Sequence, residues 1–581
     1  MEIKQVSAIL AEVNIAEPVL NALIPNGTNY KVLLFQPQGV LEINHSVKNK
    51  DRDLAQQQFA KFLTDAKKTN ADVVVTPEYS LPWETLKESI RSENIPSVGT
   101  IWVLGCESIK YSELDDFKQS LLPSTIMLYE IRPPDQDRFV CPLVYVFVAP
   151  TLADNNILKT VVLVQFKTEP SYDPDNLEAN EMQRGNAVYQ FGGTNNRLKL
   201  VSLICSDATG FTDAIADVIY NEALIIHIQL NMNPRHDHFL DCRWKLLRNE
   251  GDETEIICLN WAEGVEISSN DQTKKWKNIS ASAWYTKSKD FDIRDINICD
   301  NHKKGFYYTW HNKNYAHTMF INFKPGIFLV EATKVAHLGV RGTGPKRIGP
   351  RIIKTSYWDD ANKNWKEQPL ADDGFLEMVA QNGNAIPELI SVASRSPIEL
   401  ERIMALSVGK IEEENWYEVQ VLDSCIIEHD EIIKRITFAQ DTHRQATDFR
   451  NQRLRRCGHL CNILMDAGKL PNGIIDLADG FSFEWSLDFR YQNVKSDNGK
   501  HATVMYLGED VTEFEIIKVY TRIAEFLRRF ADSDDNSLEN RERLVVFYSD
   551  SAGHPMYYIN PELTRFDSPR NISGFDIRRP Q

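Results

Sequence analysis

Apolar residues in the first part of the chain gather into short unbroken runs: Lys31-Val-Leu-Leu-Phe35, Ile101–Leu104, Leu143–Val148, Val161–Phe166, Leu198–Ile204, Leu224–Leu230 and Ile256–Leu259. Runs of about four to eight apolar residues, bounded by polar or turn-forming ones, are the signature of strands buried on both faces. The segments between them are longer and polar or amphipathic. Asp51 to Thr69 places Leu54, Phe59, Phe62, Leu63 and Ala66 at helical spacing, and a strand starting at Ala71 follows directly. This alternation predicts a layered α/β architecture.

Past Lys354 the pattern changes. Asp359 to Pro369 is polar, so residues 356–370 read as a linker and residues 1–30 as an N-terminal extension. Residues 371–581 carry two long helical patterns, Thr442 to Ala467 and Phe514 to Phe530, then an acidic break at Ala531–Asn536 and a strand at Leu544–Tyr548. They predict an additional α+β domain of no recognised family, with a regulatory or interaction role.

A chain of 581 residues exceeds one ordinary core and predicts two or three domains. Its formal charge of −17 argues against a protein that coats nucleic acid or an anionic membrane. Small metabolites remain open as ligands. Nine cysteines, an odd number with several inside apolar runs, suit reduced thiols in the cytoplasm. The first residues lack a basic stretch leading into an apolar core, and no window reaches about eighteen uninterrupted apolar residues. The expectation is a cytoplasmic protein with no membrane partner.

Three apolar runs end in chemically useful residues. Cys205 closes Leu198–Ile204, Glu78 closes Ala71–Pro77 and Lys167 closes Val161–Phe166. A thiol, an acid and an amine at the carboxyl ends of strands make a plausible catalytic site. A free thiol is mostly protonated at neutral pH, so a carboxylate would have to take its proton as attack begins. Each residue in isolation has a plain reading: core cysteine, solvated acid, edge lysine. Their joint placement is the signal.

The order Glu78, Lys167, Cys205 resembles the carbon–nitrogen hydrolase (nitrilase and aliphatic amidase) superfamily. The resemblance runs over about residues 31–355, through Thr76-Pro77-Glu78, Phe166-Lys167, Ile204-Cys205-Ser206-Asp207, Arg248-Asn249-Glu250 and Asn260-Trp-Ala-Glu-Gly264. It implies an α-β-β-α sandwich paired with a second copy of the chain as a homodimer or higher oligomer, and no cofactor. It also implies hydrolysis of a non-peptide amide, or of a nitrile, through a cysteine thioester. Glu78 would be the general base. Lys167 would face the oxyanion, together with the Ser206 backbone N–H. A second glutamate between lysine and cysteine is implied too; Glu178 has the better spacing to Gly185, and Glu181 is the alternative. Ser206 stands where members carry an aromatic residue, and Ala208-Thr-Gly-Phe211 replaces the usual turn, so the pocket is expected to be unusual. Ser206, Asn231 and His236 are the candidate substrate contacts, the last two in a loop that topology places at the pocket mouth.

Other clusters carry weaker readings. His236, His238 and Cys242 have metal-ligand spacing, but a solvated or substrate-facing loop is the plainer reading, and no metal site is expected. Cys457-Gly-His459-Leu-Cys461 reads as helix interior. The glycine-rich run Gly339–Arg351, with its four cations, could hold an anion or could be a connector. Arg450, Arg453, Arg455 and Arg456 form a basic stretch on a helix. An alternative to catalysis is a silent nitrilase-like scaffold or ligand sensor whose carboxyl-terminal domain binds a protein or nucleic acid, including in a bacterial defence system.

Overall fold

The computed structural model describes residues 1–131, 138–171, 177–193, 198–231, 237–247, 253–269, 272–275, 282–288, 307–311, 316–335, 347–368, 403–411, 444–489, 491–529, 531 and 534–559. The chain divides into two compact units, Met1–Ala371 and, among the described residues, Ile403 onwards.

The first unit is built on two large sheets. Among the described residues one has nine strands, in spatial order Asn364–Gln368, Arg351–Asp359, Gly326–Thr333, Asn29–Gln36, Val73–Leu81, Ile101–Cys106, Pro142–Pro150, Leu158–Phe166 and Thr125–Tyr129. The other has eight: Glu2–Gln5, Ala187–Gly192, Lys199–Ile204, Ala223–Ile228, Thr254–Leu259, Ala283–Lys287, Ala316–Phe320 and Tyr307–His311. Successive side chains on a strand point to opposite faces. Accordingly Val32, Leu34, Val73 and Val75 join Leu200, Leu224, Ile226 and Ile257 in a core between the sheets, whereas Leu33, Phe35 and Val74 face helices outside the first sheet. One of these helices, Arg52–Thr69, buries Ala55, Phe59, Phe62, Leu63 and Ala66. It starts where the Asp51 carboxylate accepts from the Leu54 N–H at 3.0 Å, and it stops at Asn70 in the left-handed region, φ 48°. Helices Asp213–Ile219 and Asp237–Leu247 pack against each other, and the latter against Thr254–Leu259, giving the fourth layer. The result is an α-β-β-α sandwich.

Two boundary expectations are corrected. Residues 1–30 are not an appended extension: Glu2–Gln5 pairs in parallel with Ala187–Gln190, and Val6 and Leu10 are buried between the sheets. Residues 356–370 are not a linker. Arg351–Asp359 and Asn364–Gln368 form a hairpin with Trp358 opposite Trp365, and its first strand pairs with Gly326–Thr333. The Asp359 carboxylate accepts from the Ala361 and Asn362 N–H groups in the turn. Trp365 packs edge-on against Phe35 at 4.9 Å and donates from its indole to the Gln58 carbonyl at 3.0 Å. The segment looks polar because an edge hairpin leaves most of its side chains in water.

The second unit has a five-stranded sheet among the described residues, in the order Phe481–Phe483, Val494–Ser496, His501–Tyr506, Leu544–Ser549, Pro555–Tyr558. His501–Tyr506 and Leu544–Ser549 run parallel, and the crossover between them carries helix Glu513–Arg529. One sheet face, with Val504, Val545 and Phe547, packs on Leu454, Cys457, Leu460 and Cys461 of helix Arg444–Leu464. The other, with Met505 and Val546, packs on Ile516, Tyr520, Ile523 and Phe526. Among the described residues no helix is long and apolar enough to cross a membrane.

Candidate active site

Glu78, Lys167 and Cys205 meet between the sheets. Glu78 lies on Val73–Leu81, whose register slips between Thr76 and Leu81, with Tyr79 at φ 57°. The slip requires a glycine next door: a Cβ on Gly105 would stand 2.0 Å from the Pro77 carbonyl oxygen. Lys167 follows Leu158–Phe166 directly. Cys205 opens the 3-10 turn Cys205–Gly210 with φ 40°, a left-handed conformation that costs a residue with a Cβ about 1–3 kcal/mol. Two buried groups hold that turn. Asp207 accepts from the Ile204 N–H at 3.0 Å with one oxygen; with the other it accepts from the Thr168 N–H at 2.7 Å and hydroxyl at 2.8 Å, tying the cysteine turn to the loop after Lys167. His227 Nε2 lies 2.9 Å from the Cys205 carbonyl oxygen. Burial pushes this imidazole down to about 4, so it is neutral at pH 7, and Nε2 carries the proton it donates.

The Lys167 ammonium is fully enclosed by carboxylates: Glu78 Oε1 at 2.8 Å, Glu178 Oε1 at 2.9 Å and Glu178 Oε2 at 2.7 Å. Three donors meet three acceptors. Glu178 also accepts from the Tyr79 hydroxyl at 2.8 Å and the Ser171 N–H at 2.6 Å. Glu78 accepts from the Leu230 N–H at 2.9 Å and, at the Lys167-bound oxygen, from the Cys141 thiol at 3.4 Å. The Trp261 indole donates to the Glu78 carbonyl at 2.8 Å. One cation and two anions in a dry site leave one negative charge too many. Burial pushes both carboxyls up, but Lys167 overcomes this at Glu178 and holds it below the usual range, while at Glu78 burial prevails and keeps it above. Burial lowers Lys167, yet the two carboxylates carry it well above an ordinary lysine. The Cys205 thiol is held well up, by burial first and then by Glu78, with Lys167 opposing. Its Sγ lies 3.9 Å from the carbonyl of Leu230, whose N–H binds Glu78.

No protein-family model and no curated protein matches the chain. Among solved structures it is similar to a glutamine-dependent NAD+ synthetase from Acinetobacter baumannii, with TM-score 0.31 and 12% identity over 66% of this chain; it spans 58% of that one, a little over half its length. An amidase from Nesterenkonia sp. gives TM-score 0.30 and 10% identity over 55% of this chain and 95% of that chain. Nit3 of Saccharomyces cerevisiae, a nitrilase-superfamily member, gives 0.30 and 12% over 54% and 91%. A four-layer sandwich brings Glu78, Lys167 and Cys205 together, in that chain order.

Within the first unit, Glu178 and not Glu181 reaches Lys167; Glu181 instead meets His45 at the surface, at 3.1 Å. The Ser206 hydroxyl is turned away into the protein, donating to the Glu169 carbonyl at 2.7 Å. Asn231 sits next to Leu230, its backbone exchanging hydrogen bonds with the Asn260 side chain. His236 lies outside the described residues, as does most of the glycine-rich run 339–351. Two cations of that run are committed to carboxylates: Arg347 is buried against Glu253, at 2.8 Å, and Glu255, and Arg351 pairs with Glu331. Asp207, His227, Cys141 and Tyr79 shape the site without having been assigned roles from sequence. Asp207 alone left a trace, as the acid two residues beyond the cysteine.

Proposed function

We propose that the first unit is nitrilase-like and hydrolyses a carbon–nitrogen bond outside peptides, in a small amide, through a thioester on Cys205. The observation that carries this reading is the buried Lys167 held between the Glu78 and Glu178 carboxylates, beside a thiol on a strained turn. Paired carboxyls with separated affinities mark distinct roles. Glu178 stays ionised and fixes Lys167. Glu78, raised above its ordinary value by burial, is the one placed to exchange protons with the thiol.

In the forward step the ionised Glu78 takes the Cys205 proton as sulfur bonds to the amide carbon. The carbonyl π electrons move to oxygen, where the Lys167 charge and the Ser206 backbone N–H favour the oxyanion. When the C–N bond breaks, Glu78 passes its proton to the departing nitrogen, leaving ammonia or an amine and a thioester. Glu78 then takes a proton from water as the hydroxyl adds to the thioester carbon, and returns it to sulfur as the acid leaves. Every proton taken is returned, so no cofactor enters the balance.

The test is ammonia release and intact mass with a panel of small amides and nitriles, for wild type and Cys205→Ala. Turnover, or an acyl adduct on wild type that the alanine variant lacks, supports the reading. No turnover from either, with Cys205 inert to iodoacetamide, would transfer the weight to a silent scaffold or sensor.

A further inference from the structure

The second unit holds a cavity of about 880 Å³ between helix Arg444–Leu464 and the carboxyl ends of the two parallel strands His501–Tyr506 and Leu544–Ser549. Open sheets with parallel strands and crossover helices take their ligands at such strand ends. Gln452, Arg455, Arg456 and His459 line it from one face of the helix, at the spacing i, i+3, i+4, i+7, while Leu454, Cys457, Leu460 and Cys461 turn inward to the core.

Its polar groups are fixed on one side and unsatisfied on the other. At the strand ends the buried Tyr506 and Ser549 hydroxyls pair at 2.7 Å. The His459 ring lies 4.6 Å from that of Tyr506, and its Nε2 is enclosed with no hydrogen-bond partner. Arg456 lies flat against Gly508: a Cβ there would stand 2.8 Å from its Nη2, and φ at Gly508 is 102°. Among the described residues neither Arg455 nor Arg456 has a salt-bridge partner, although other arginines of this unit do, Arg543 with Asp476 and Arg529 with Glu525. Two adjacent guanidinium forks without carboxylates, in a cavity large enough for a metabolite, match the planar, multidentate demand of an oxyanion. Asp448 and Glu509 also line the space and oppose a purely anionic occupant. They favour a molecule that adds hydroxyl or amine donors to its acid group.

We propose that this cavity is a binding site for a small molecule carrying a phosphate or carboxylate group, with the acid group held by Arg455 and Arg456 and its body against Tyr506, Ser549 and His459. The site is independent of the chemistry at Cys205.

Titration calorimetry of the full chain with inorganic phosphate, adenosine monophosphate and citrate tests it. The expected result is saturable binding of at least one probe with a Kd below about 1 mM, weakened about tenfold or more in Arg455→Gln/Arg456→Gln and in Gly508→Ala. Arg522→Gln, a cation outside this cavity, should bind as wild type does. The phosphate probes and citrate separate the two acid groups. Should the double variant melt below wild type, the glycine variant decides. No binding of any probe, or undiminished binding in both variants, overturns the proposal.

Discussion

A proton on Glu78 is the variable on which the proposed chemistry turns. Its carboxyl is raised above the ordinary 4.5 because burial outweighs the single Lys167 contact it receives. A base works only when ionised, so activity falls as pH drops through that raised value. The acid limb of kcat/KM, or of Cys205 alkylation by iodoacetamide, is expected above pH 4.5 and absent in Glu78→Gln, which loses about 10²–10⁴-fold in rate. Cys141 adjusts the same limb. Its thiol donates to Glu78 Oε1 and favours the ionised form, so Cys141→Ala moves the limb up in pH and Cys141→Ser, a stronger donor, moves it down. Glu178 works in the opposite sense: its depressed carboxyl contributes stability that is present above 4.5 and lost as pH falls through the depressed value. Glu178→Gln takes the negative charge from two of the three contacts at Lys167 while Glu78 still balances the ammonium, and the mismatched buried hydrogen bonds are expected to cost about 1–3 kcal/mol in denaturant unfolding. Glu78, Lys167 and Cys205 were visible in the sequence because each breaks an apolar run. Cys141 and His227 were not: a thiol beside one run and an imidazole inside another look like core until their partners, far along the chain, are in place.

Whole elements rest on single contacts that can be removed. Gly105→Ala places a methyl carbon against the Pro77 carbonyl, which must move and take Glu78 with it; about 1–3 kcal/mol of stability and much of the activity should go together. Asp207→Ala releases the Ile204, Thr168 and Glu169 groups that fold the cysteine turn onto the lysine loop. Because it leaves buried donors unmet, a loss of about 2–3 kcal/mol and a slower Cys205 alkylation are expected. The central strands and helix Arg52–Thr69 were legible because burial on both faces, or on one stripe, writes itself into composition. Glu2–Gln5 and the hairpin Arg351–Gln368 were not. Their exposed edge positions carry Glu, Lys, Arg and Asn, and the few anchors, such as Trp365, are too sparse to set a period.

The boundary of the first unit follows from that hairpin. A chain ending at Pro350, before the hairpin begins, strips the outer partner from Gly326–Thr333 and the Trp365 ring from Phe35, and is expected to aggregate, whereas one ending at Ala371 keeps both. Size-exclusion chromatography of the two truncations distinguishes a linker from a structural edge. The pairing of Asn29–Gln36 with Gly326–Thr333, Tyr30 opposite Ala332, places early-made and late-made residues of this unit side by side. On the ribosome, then, the middle of the nine-stranded sheet has an open flank until nearly all of the unit has emerged. Such high contact order predicts slow folding and a long wait in which apolar edges are exposed, so the yield of active protein should depend on chaperones more steeply than its final stability would suggest.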